Sequence, residues 1–289
     1  MKKIIISLIL LIPFIIKADI DKIYIDSEVD ISGNLIVKEI IEMDNSDSFT
    51  LEIPYKNNNS KEYKEKDIIK DDSIIYDAEG IQINKIGTLD KEYDINDLYK
   101  SDFNNLVKEY KNYKTSDTKK SMKIIFESTK EKKIYYLEYL VLAISVKHND
   151  AAELYYSYIS NSNYNIKEAA IITRLPENSD LFEVYAHGNN KINVSKDNKD
   201  SIVLTKINNL KKGSNYNIRI LYDKDIFAVA INDSKKSNIN AVDLIKNIEN
   251  SKINKSNFIN IYKYVSIPLI IVLVITFIVV KRKIKWKKH

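Results

Sequence analysis

The stretch that decides the fold is IDKIYIDSEVDISGNLIVKEIIEM, residues 20–43. In its first part Ile23 and Ile25 alternate with polar residues, which is the period of a strand with one buried face. The turn signal Ser32-Gly33-Asn34 follows, and the β-branched run Leu35–Met43 comes directly after it. Two such runs joined by a short turn predict a β-hairpin.

Short alternating or β-branched runs separated by polar turns continue to about residue 227. About ten strands at this spacing predict a mainly β protein, an antiparallel β-sandwich. The predicted strands do not alternate with helices, and such an alternation is what would indicate a parallel sheet. We expect Lys56–Asp72 to form an exposed loop and Asp97–Lys114 to be helix or long loop. The further predicted strands are Phe49–Ile53, Ile81–Ile86, Met122–Phe126, Ile134–Ile144, Glu153–Ile159, Ala169–Leu175, Phe182–Ala186, Ile202–Ile207 and Tyr216–Tyr222.

The N-terminal segment has the pattern of a secretory signal. Lys2 and Lys3 precede Ile4–Ile16, an apolar run of 13 residues. That run is too short for a bilayer core, which needs about 20 helical residues. A charged start and a short apolar run predict export and cleavage after Ala18. The alternatives are an uncleaved N-terminal anchor and a buried strand.

The C-terminal segment has the pattern of a membrane anchor. Val265–Val280 contains no charged residue, and residues 259–264 extend it to the length of a span. Tyr262 and Tyr264 suit the headgroup region, where Lys263 can extend its ammonium group to water. The basic flank that follows predicts a cytoplasmic tail and an external N-terminal domain. That flank consists of Lys281, Arg282, Lys283, Lys285, Lys287 and Lys288.

These patterns predict a single-pass protein of the bacterial plasma membrane. A short amphipathic helix is expected at Asn240–Asn250, because Ala241, Leu244, Ile245 and Ile248 share one helical face. The predicted order is a signal peptide (1–18), an exported β-sandwich domain (19–235), a helix and linker (236–258), a transmembrane helix (259–280) and a basic tail (281–289).

The composition excludes several classes of function. The chain has no cysteine, which removes disulfides and thiolate chemistry. Nine basic residues lie in the two ends, so the net charge falls from +5 for the chain to −4 for residues 19–280. A nucleic-acid partner requires a basic face, and an acidic exported part does not offer one.

A resemblance to a known family starts at Asp150. The run Ala151-Ala152-Glu153-Leu154-Tyr155-Tyr156, then Tyr164-Asn165-Ile166, resembles the exported domain of the DUF2207 family of predicted membrane proteins. That family has an Asp-x-x-Glu-Leu-Tyr-Trp run, a Gly-x-x-Trp turn and a strand ending in Leu-Pro. Ala169–Pro176 supply the last of these here, while Tyr156 and Tyr164 stand where the family has Trp.

Two more steps of the family follow in the expected order. Tyr185-Ala186-His187-Gly188 is similar to its aromatic-Ala-His-Gly step, and Asn34–Glu42 with Phe49–Pro54 is similar to its opening hairpin. The resemblance covers about residues 20–230. It implies an architecture and a membrane topology, and it implies no activity.

The sequence offers no recognisable catalytic set. His148, His187 and His289 are its only histidines, and none has a partner at metal-ligand spacing. No metalloprotease, nucleophile-elbow or phosphate-loop motif occurs. Asp150 and Glu153 could pair in space, although their spacing does not single them out as a glycosidase pair. We therefore predict no catalytic, metal-binding or cofactor-binding residue and no enzyme.

The remaining hypothesis is a non-catalytic binding or structural module at the cell envelope. Its expected partners are the lipid bilayer and an envelope protein or glycan. On Glu153–Ile159, strand alternation directs Leu154, Tyr156 and Tyr158 toward the core. Tyr155, with Tyr164 from the next turn, is then expected nearer the surface as a partner-binding patch. In the competing interpretation both strand faces are packed. The alternative function is an enzyme that acts on envelope polymer through dispersed carboxylates.

Overall fold

A computed structural model describes residues 19–43, 48–55, 75–98, 103–127, 132–160, 162–188, 192–227 and 232–251. The predicted signal peptide (1–18), the loop at 56–72, the membrane span (259–280) and the basic tail (281–289) lie outside these ranges. Within the described residues no helix has the length and hydropathy needed to cross a bilayer.

The chain is mainly β, and every strand predicted from the sequence is present with small shifts at its ends. The strands are β1 (Ile20–Val29), β2 (Leu35–Met43), β3 (Phe49–Pro54), β4 (Gly80–Leu89), β5 (Lys108–Glu109), β6 (Tyr113–Asp117), β7 (Ser121–Phe126), β8 (Lys133–Leu142), β9 (Val146–Lys147), β10 (Ala152–Ile159), β11 (Ile166–Arg174), β12 (Glu183–Gly188), β13 (Ile192–Asp197), β14 (Ile202–Leu210) and β15 (Tyr216–Tyr222).

The predicted hairpin of β1 and β2 is confirmed, and its turn has a clear local cause. The Asp30 carboxylate accepts hydrogen bonds from the backbone N–H of Ser32 at 2.8 Å and of Asn34 at 2.9 Å. Gly33 has φ of 79°, a left-handed conformation that glycine adopts without strain. The strands then pair from Val29↔Leu35 to Ile20↔Met43.

The largest sheet has eight strands in the order β13-β14-β11-β1-β2-β8-β4-β5. It is not wholly antiparallel, because β1 and β11 pair in parallel from Ile20↔Ile166 to Glu28↔Arg174. The expectation of a purely antiparallel fold is wrong at this pair. A parallel pair needs a long crossover, which is often a helix. Here the crossover consists of the intervening strands, so no helical pattern marks it.

Two smaller sheets complete the architecture, with the orders β12-β15-β10-β9 and β3-β7-β6. The four-stranded sheet packs its Leu154 and Tyr156 face in one core with the eight-stranded sheet, an arrangement consistent with a β-sandwich. Tyrosine hydroxyls bridge the two layers. The Tyr158 hydroxyl lies 2.5 Å from Ser27 Oγ and 2.9 Å from Thr173 Oγ1, so it is satisfied away from water.

The eight-stranded sheet also carries apolar residues on its other face. Tyr24, Ile40 and Tyr136 alternate with the residues of the main core and form a second cluster. Leu98 and Phe103 cover it from a segment with short 3-10 turns at Ile95–Asp97 and Phe103–Leu106. In the stretch 97–114, expected to be helix or long loop, the described residues 97–98 and 103–106 therefore cover this face, and β5 and the start of β6 follow.

Four strands were missed: the two-residue strands β5 and β9, and the longer polar strands β6 and β13. β13 has five exposed residues after Ile192, and β6 has four after Tyr113. Both strands are held by backbone pairing, β13 with β14 and β6 with β7. Neither has a buried side-chain period, which is the signal that sequence analysis detects.

The chain divides into two units, residues 1–239 and 240–289. In the second unit the described part contains a helix over residues 242–251. Ala241, Ile245 and Ile248 are buried, and Asp243 and Asn247 are exposed. The amphipathic helix expected at Asn240–Asn250 is thus confirmed as an element.

Candidate functional site

Two buried carboxylates stand out in the first unit, and their environments are opposite in kind. The first is Glu153 on β10. Strand alternation points Leu154 and Tyr156 into the core and leaves Glu153 and Tyr155 on the other face. The turn that joins β9 to β10, closed by His148 N–H to the Ala151 carbonyl at 2.8 Å, brings His148 beside Glu153.

The Glu153 cluster consists of Tyr76, His148, Glu153 and Arg219. Glu153 Oε2 lies 3.0 Å from His148 Nε2 and accepts a 2.9 Å hydrogen bond from the Tyr76 hydroxyl. Glu153 Oε1 lies 2.9 Å from Arg219 Nε. The side chains of His148, Glu153 and Arg219 are 0% exposed. An ion pair closed from water in this way is sensitive to the loss of either member.

The electrostatics of the cluster favour an ionised carboxylate. Burial alone would raise the pKa of Glu153, but the Arg219 guanidinium and the His148 ring hold that pKa below its ordinary value. Because an ionised carboxylate only accepts hydrogen bonds, His148 Nε2 carries the proton that points at it. His148, Arg219 and Tyr76 all contact the Glu153 carboxylate, and this arrangement ties the outer face of the four-stranded sheet together.

A second contact fixes Tyr76 over this face. Lys235 is buried, and its ammonium group donates to the carbonyls of Ile75, at 3.1 Å, and of Asp77. These carbonyls flank Tyr76, so Lys235 holds the backbone that presents the Tyr76 hydroxyl to Glu153. Burial lowers the pKa of Lys235 from its ordinary value.

Tyr155, predicted to lie nearer the surface, is in the interior. It is 3% exposed, and the guanidinium carbon of Arg219 lies 4.1 Å from its ring centroid. The strand register explains this, since Tyr155 pairs directly with Arg219 on β15. The expected surface position of Tyr155 is wrong because both faces of β10 are packed, as in the competing interpretation. Leu154, Tyr156 and Tyr158 are buried as predicted.

Tyr164 is half-buried, and a partner contact there stays a prediction. Its ring centroid lies 5.3 Å from that of Phe49, and its hydroxyl accepts a 3.2 Å hydrogen bond from Thr50 N–H. Tyr164 therefore ties the turn before β11 to β3. It also forms one wall of a cavity.

The second buried carboxylate, Glu39, lines that cavity. On β2 the residues Leu35, Val37, Ile41 and Met43 all face the main core, and Glu39 occupies the central position of the same row. Glu39 is 3% exposed, and its one described hydrogen bond is a long 3.4 Å contact from the Tyr139 hydroxyl. Burial raises the pKa of Glu39 to about 8.

The Glu39 cavity has a volume of about 40 Å³. None of its fourteen described lining residues is basic. Its walls include three aromatic rings, from Phe49, Tyr158 and Tyr164, and a second carboxylate, from Glu52. The Glu52 carboxylate accepts a 2.6 Å hydrogen bond from Ser121 Oγ and lies 3.7 Å from Lys123 Nζ.

Sequence reasoning missed both carboxylates, although one signal was present. Glu39 interrupts an otherwise apolar alternation in β2, and a carboxylate at a core position is informative. Glu153 was considered only as a surface group that could pair with Asp150. Its partners come from β15, the β9–β10 turn and the segment at Tyr76, and no local pattern connects them. Within the described ranges, no three His, Asp or Glu side chains converge as a metal-ligand set.

The fold and these interior charges define a mainly β domain in which one buried carboxylate lies between the two layers and another lies on the outer face of the four-stranded sheet. The family described as "Predicted membrane protein (DUF2207) N-terminal domain" matches residues 19–222. The chain belongs to this family, as the resemblance of its motifs predicted. Comparison with curated proteins gives no match.

Several solved structures align with part of the chain. A protein of Parabacteroides distasonis ATCC 8503, whose name suggests a protease, aligns with a TM-score of 0.40 at 10% identity over 71% of this chain and 40% of that one. An M1 zinc metallopeptidase from Deinococcus radiodurans aligns with a TM-score of 0.32 at 8% identity, over 70% and 42%. An aminopeptidase N family protein from Idiomarina loihiensis gives 0.35 at 12%, over 68% and 29%.

The chain spans less than half the length of each of these structures. Every TM-score lies below 0.5, and no conclusion about activity follows from these likenesses.

Proposed function

We propose that the chain is a bacterial plasma-membrane protein whose external β-sandwich acts as a non-catalytic binding or structural module at the cell envelope. A single C-terminal helix at 259–280 anchors it, and the basic tail lies in the cytoplasm. Membership in a family of predicted membrane proteins supports the anchor, as do the apolar run and the basic flank.

The observation that carries the non-catalytic role is the state of the Glu153 cluster. A general acid or base must reach the proton that it transfers, at hydrogen-bond distance or through one water molecule. His148, Glu153 and Arg219 have no exposed side-chain surface, and they contact one another. Such a cluster supports a role in holding the sheet and in fixing its surface for a partner.

The membrane topology is tested with protease on intact cells that carry an epitope on the tail. The proposal expects loss of residues 19 to about 250 and a protected tail. Replacing the six basic residues of the tail with neutral residues should weaken this orientation, because each contributes about 1 kcal/mol at an anionic surface. An epitope accessible from outside the cell contradicts the proposed topology.

The alternative role, an enzyme that acts on envelope polymer, is tested on isolated cell-wall material. The full chain in detergent is incubated with this material, and both retained protein and released soluble fragments are measured. We expect the protein to be retained on the cell-wall material and no soluble fragments to be released. Fragment release that disappears in a Glu52→Gln variant, but persists in a Glu28→Gln variant, would replace the binding role by the enzymatic one. Glu28 is an exposed glutamate on β1 that is not among the residues lining the Glu39 cavity.

A further inference from the structure

A carboxylate in the position of Glu39 needs an explanation. It replaces an apolar residue in the central row of β2, where Leu35, Val37, Ile41 and Met43 pack into the core. Its one described partner is the Tyr139 hydroxyl at 3.4 Å, near the upper limit for a hydrogen bond. Buried carboxylates normally have good partners, and one that lines a cavity without them points to a ligand.

We propose that the Glu39 cavity binds a primary ammonium group, presented by a small amine or by a lysine side chain, with the Glu39 carboxylate as its counter-ion. This inference deepens the proposed binding role and rests on it. The ammonium nitrogen would lie at Glu39, and the attached methylene groups would extend out of the cavity beside Tyr164 and Glu52.

The size of the cavity selects a small group. One water molecule needs about 10–15 Å³ of such volume, so about 40 Å³ holds an ammonium group and the carbon next to it. Drug-sized ligands occupy pockets of roughly 300–1,000 Å³. The cavity therefore admits the tip of a larger molecule or a short alkylamine, and it does not enclose a larger ligand.

The lining selects a positive charge. The chain has 45 lysine and arginine residues, yet the fourteen described residues around this cavity include none of them and two glutamates. Phe49, Tyr158 and Tyr164 supply aromatic rings, whose faces attract cations. Glu52 has a nearby lysine, Lys123, so its charge is already partly balanced and Glu39 is the better counter-ion.

An organic ammonium fits this lining better than a metal ion. Calcium takes six to eight oxygen ligands, and magnesium takes an octahedral set. The described residues bring no three acidic or histidine groups together here. An ammonium group has three donors on a compact head and is stabilised by one carboxylate, hydroxyl oxygens and aromatic faces.

Binding should be coupled to the release of a proton. Burial raises the pKa of Glu39 to about 8, so the empty cavity holds a mostly neutral carboxyl group at neutral pH. The groups that face Glu39 are the hydroxyls of Tyr139 and Tyr156, together with Tyr158 and Glu52 in the cavity wall. Burial raises the pKa of each of these tyrosines, so their hydroxyls stay neutral in this range. An ammonium ligand favours the ionised carboxylate and displaces its proton.

The test uses the full chain in detergent micelles and calorimetric titration with n-butylamine. We expect the affinity to rise by roughly tenfold per pH unit from about pH 6 to about pH 8 and then to level off. The neutral isostere n-butanol should bind at least tenfold more weakly near pH 8. A lysine-containing peptide and its acetyl-lysine counterpart distinguish a protein source of the ammonium group from a small amine.

Variants locate the site. Glu39→Gln, which keeps the shape of the side chain, should lose at least tenfold in amine affinity, and the exposed Glu28→Gln variant should lose nothing. Circular dichroism checks that each variant is folded. If Glu39→Gln does not fold, Tyr164→Leu should weaken binding severalfold through loss of the aromatic wall.

The proposal is overturned if n-butanol binds as well as n-butylamine, if potassium or calcium ions bind as well, or if affinity is independent of pH. Equal amine binding by the folded Glu39→Gln variant also overturns it. Envelope retention without amine binding would leave the proposed function standing and remove this site. Amine binding without envelope retention would support the site and contradict the envelope role.

Discussion

Glu39 and Glu153 lie on strands of the two layers of the same domain. Both carboxylates are buried, but the surrounding residues offer them different partners. Glu153 has an arginine, a histidine and a tyrosine hydroxyl within 3.0 Å, and its pKa is lowered. Glu39 has one long contact from a tyrosine, and its pKa is raised to about 8. Burial is common to both, so the difference comes from the partners.

A buried carboxylate with good partners indicates a structural role, and one that lacks them beside a cavity indicates a ligand site. The fold completes the Glu153 cluster, so removing a member should affect stability. The fold leaves Glu39 incomplete, so removing it should improve stability and abolish binding. Three substitutions test this contrast, in order of expected effect.

The largest effect is expected for Arg219→Met. The change leaves the Glu153 carboxylate buried beside only two polar partners, and breaking a buried ion pair in this way costs about 3–5 kcal/mol. Urea unfolding of the full chain in detergent measures it. The double variant Glu153→Leu/Arg219→Met should recover a large part of the loss, because no unpaired charge remains. A single variant within about 0.5 kcal/mol of the parent would contradict the structural role.

The second effect is a pH-dependent gain from Glu39→Leu. The pKa of Glu39 in the folded state, about 8, lies above its ordinary value of 4.5. Below pH 4.5 the carboxyl is therefore neutral in both the folded and the unfolded state, and its ionisation does not destabilise the fold. The cost grows as pH rises through this window, by about 1.4 kcal/mol per unit. The gain in free energy of unfolding from Glu39→Leu should therefore be larger near pH 7 than below pH 4.5, by roughly 3 kcal/mol.

The measured quantity is the difference in free energy of unfolding between Glu39→Leu and its parent at each pH. The difference is needed because Glu153, present in both proteins, changes stability with pH in the opposite direction. The lowered pKa of Glu153 means that its contribution is present above the unfolded pKa and is lost as pH falls through the folded one. A difference between Glu39→Leu and its parent that stays constant with pH would mean that Glu39 is not a neutral buried carboxyl group.

The sequence predicts the apolar strands, but it does not predict the partners of Glu153. The strand Leu35–Met43 was predicted with its bounds, because its apolar residues repeat with a period that burial enforces. The polar strand β13 has no such period and was missed. The partners of Glu153 come from positions 76, 148 and 219, and the register of β15, the β9–β10 turn and the segment held by Lys235 bring them together. Register depends on the whole fold, so the cluster follows from no local pattern.

The smallest effect is expected for Tyr164→Phe, which separates the two uses of one side chain. Its hydroxyl accepts a hydrogen bond from Thr50 N–H, and its ring forms part of the Glu39 cavity. Loss of one such hydrogen bond should lower stability by about 1 kcal/mol in urea unfolding. The matched control is Tyr113→Phe on β6, whose hydroxyl has no hydrogen bond within the described residues and whose change should stay within about 0.5 kcal/mol.

The same variant bears on amine binding, because Phe keeps the aromatic face. Tyr164→Phe should therefore retain the affinity for n-butylamine, whereas Tyr164→Leu should weaken it, since attraction between a cation and a ring depends on the π face. If Phe weakens binding as much as Leu does, the hydroxyl rather than the ring contacts the ligand. The ammonium group would then be held by oxygen atoms alone, and the aromatic rings would serve only to pack Phe49 and Tyr164 against each other.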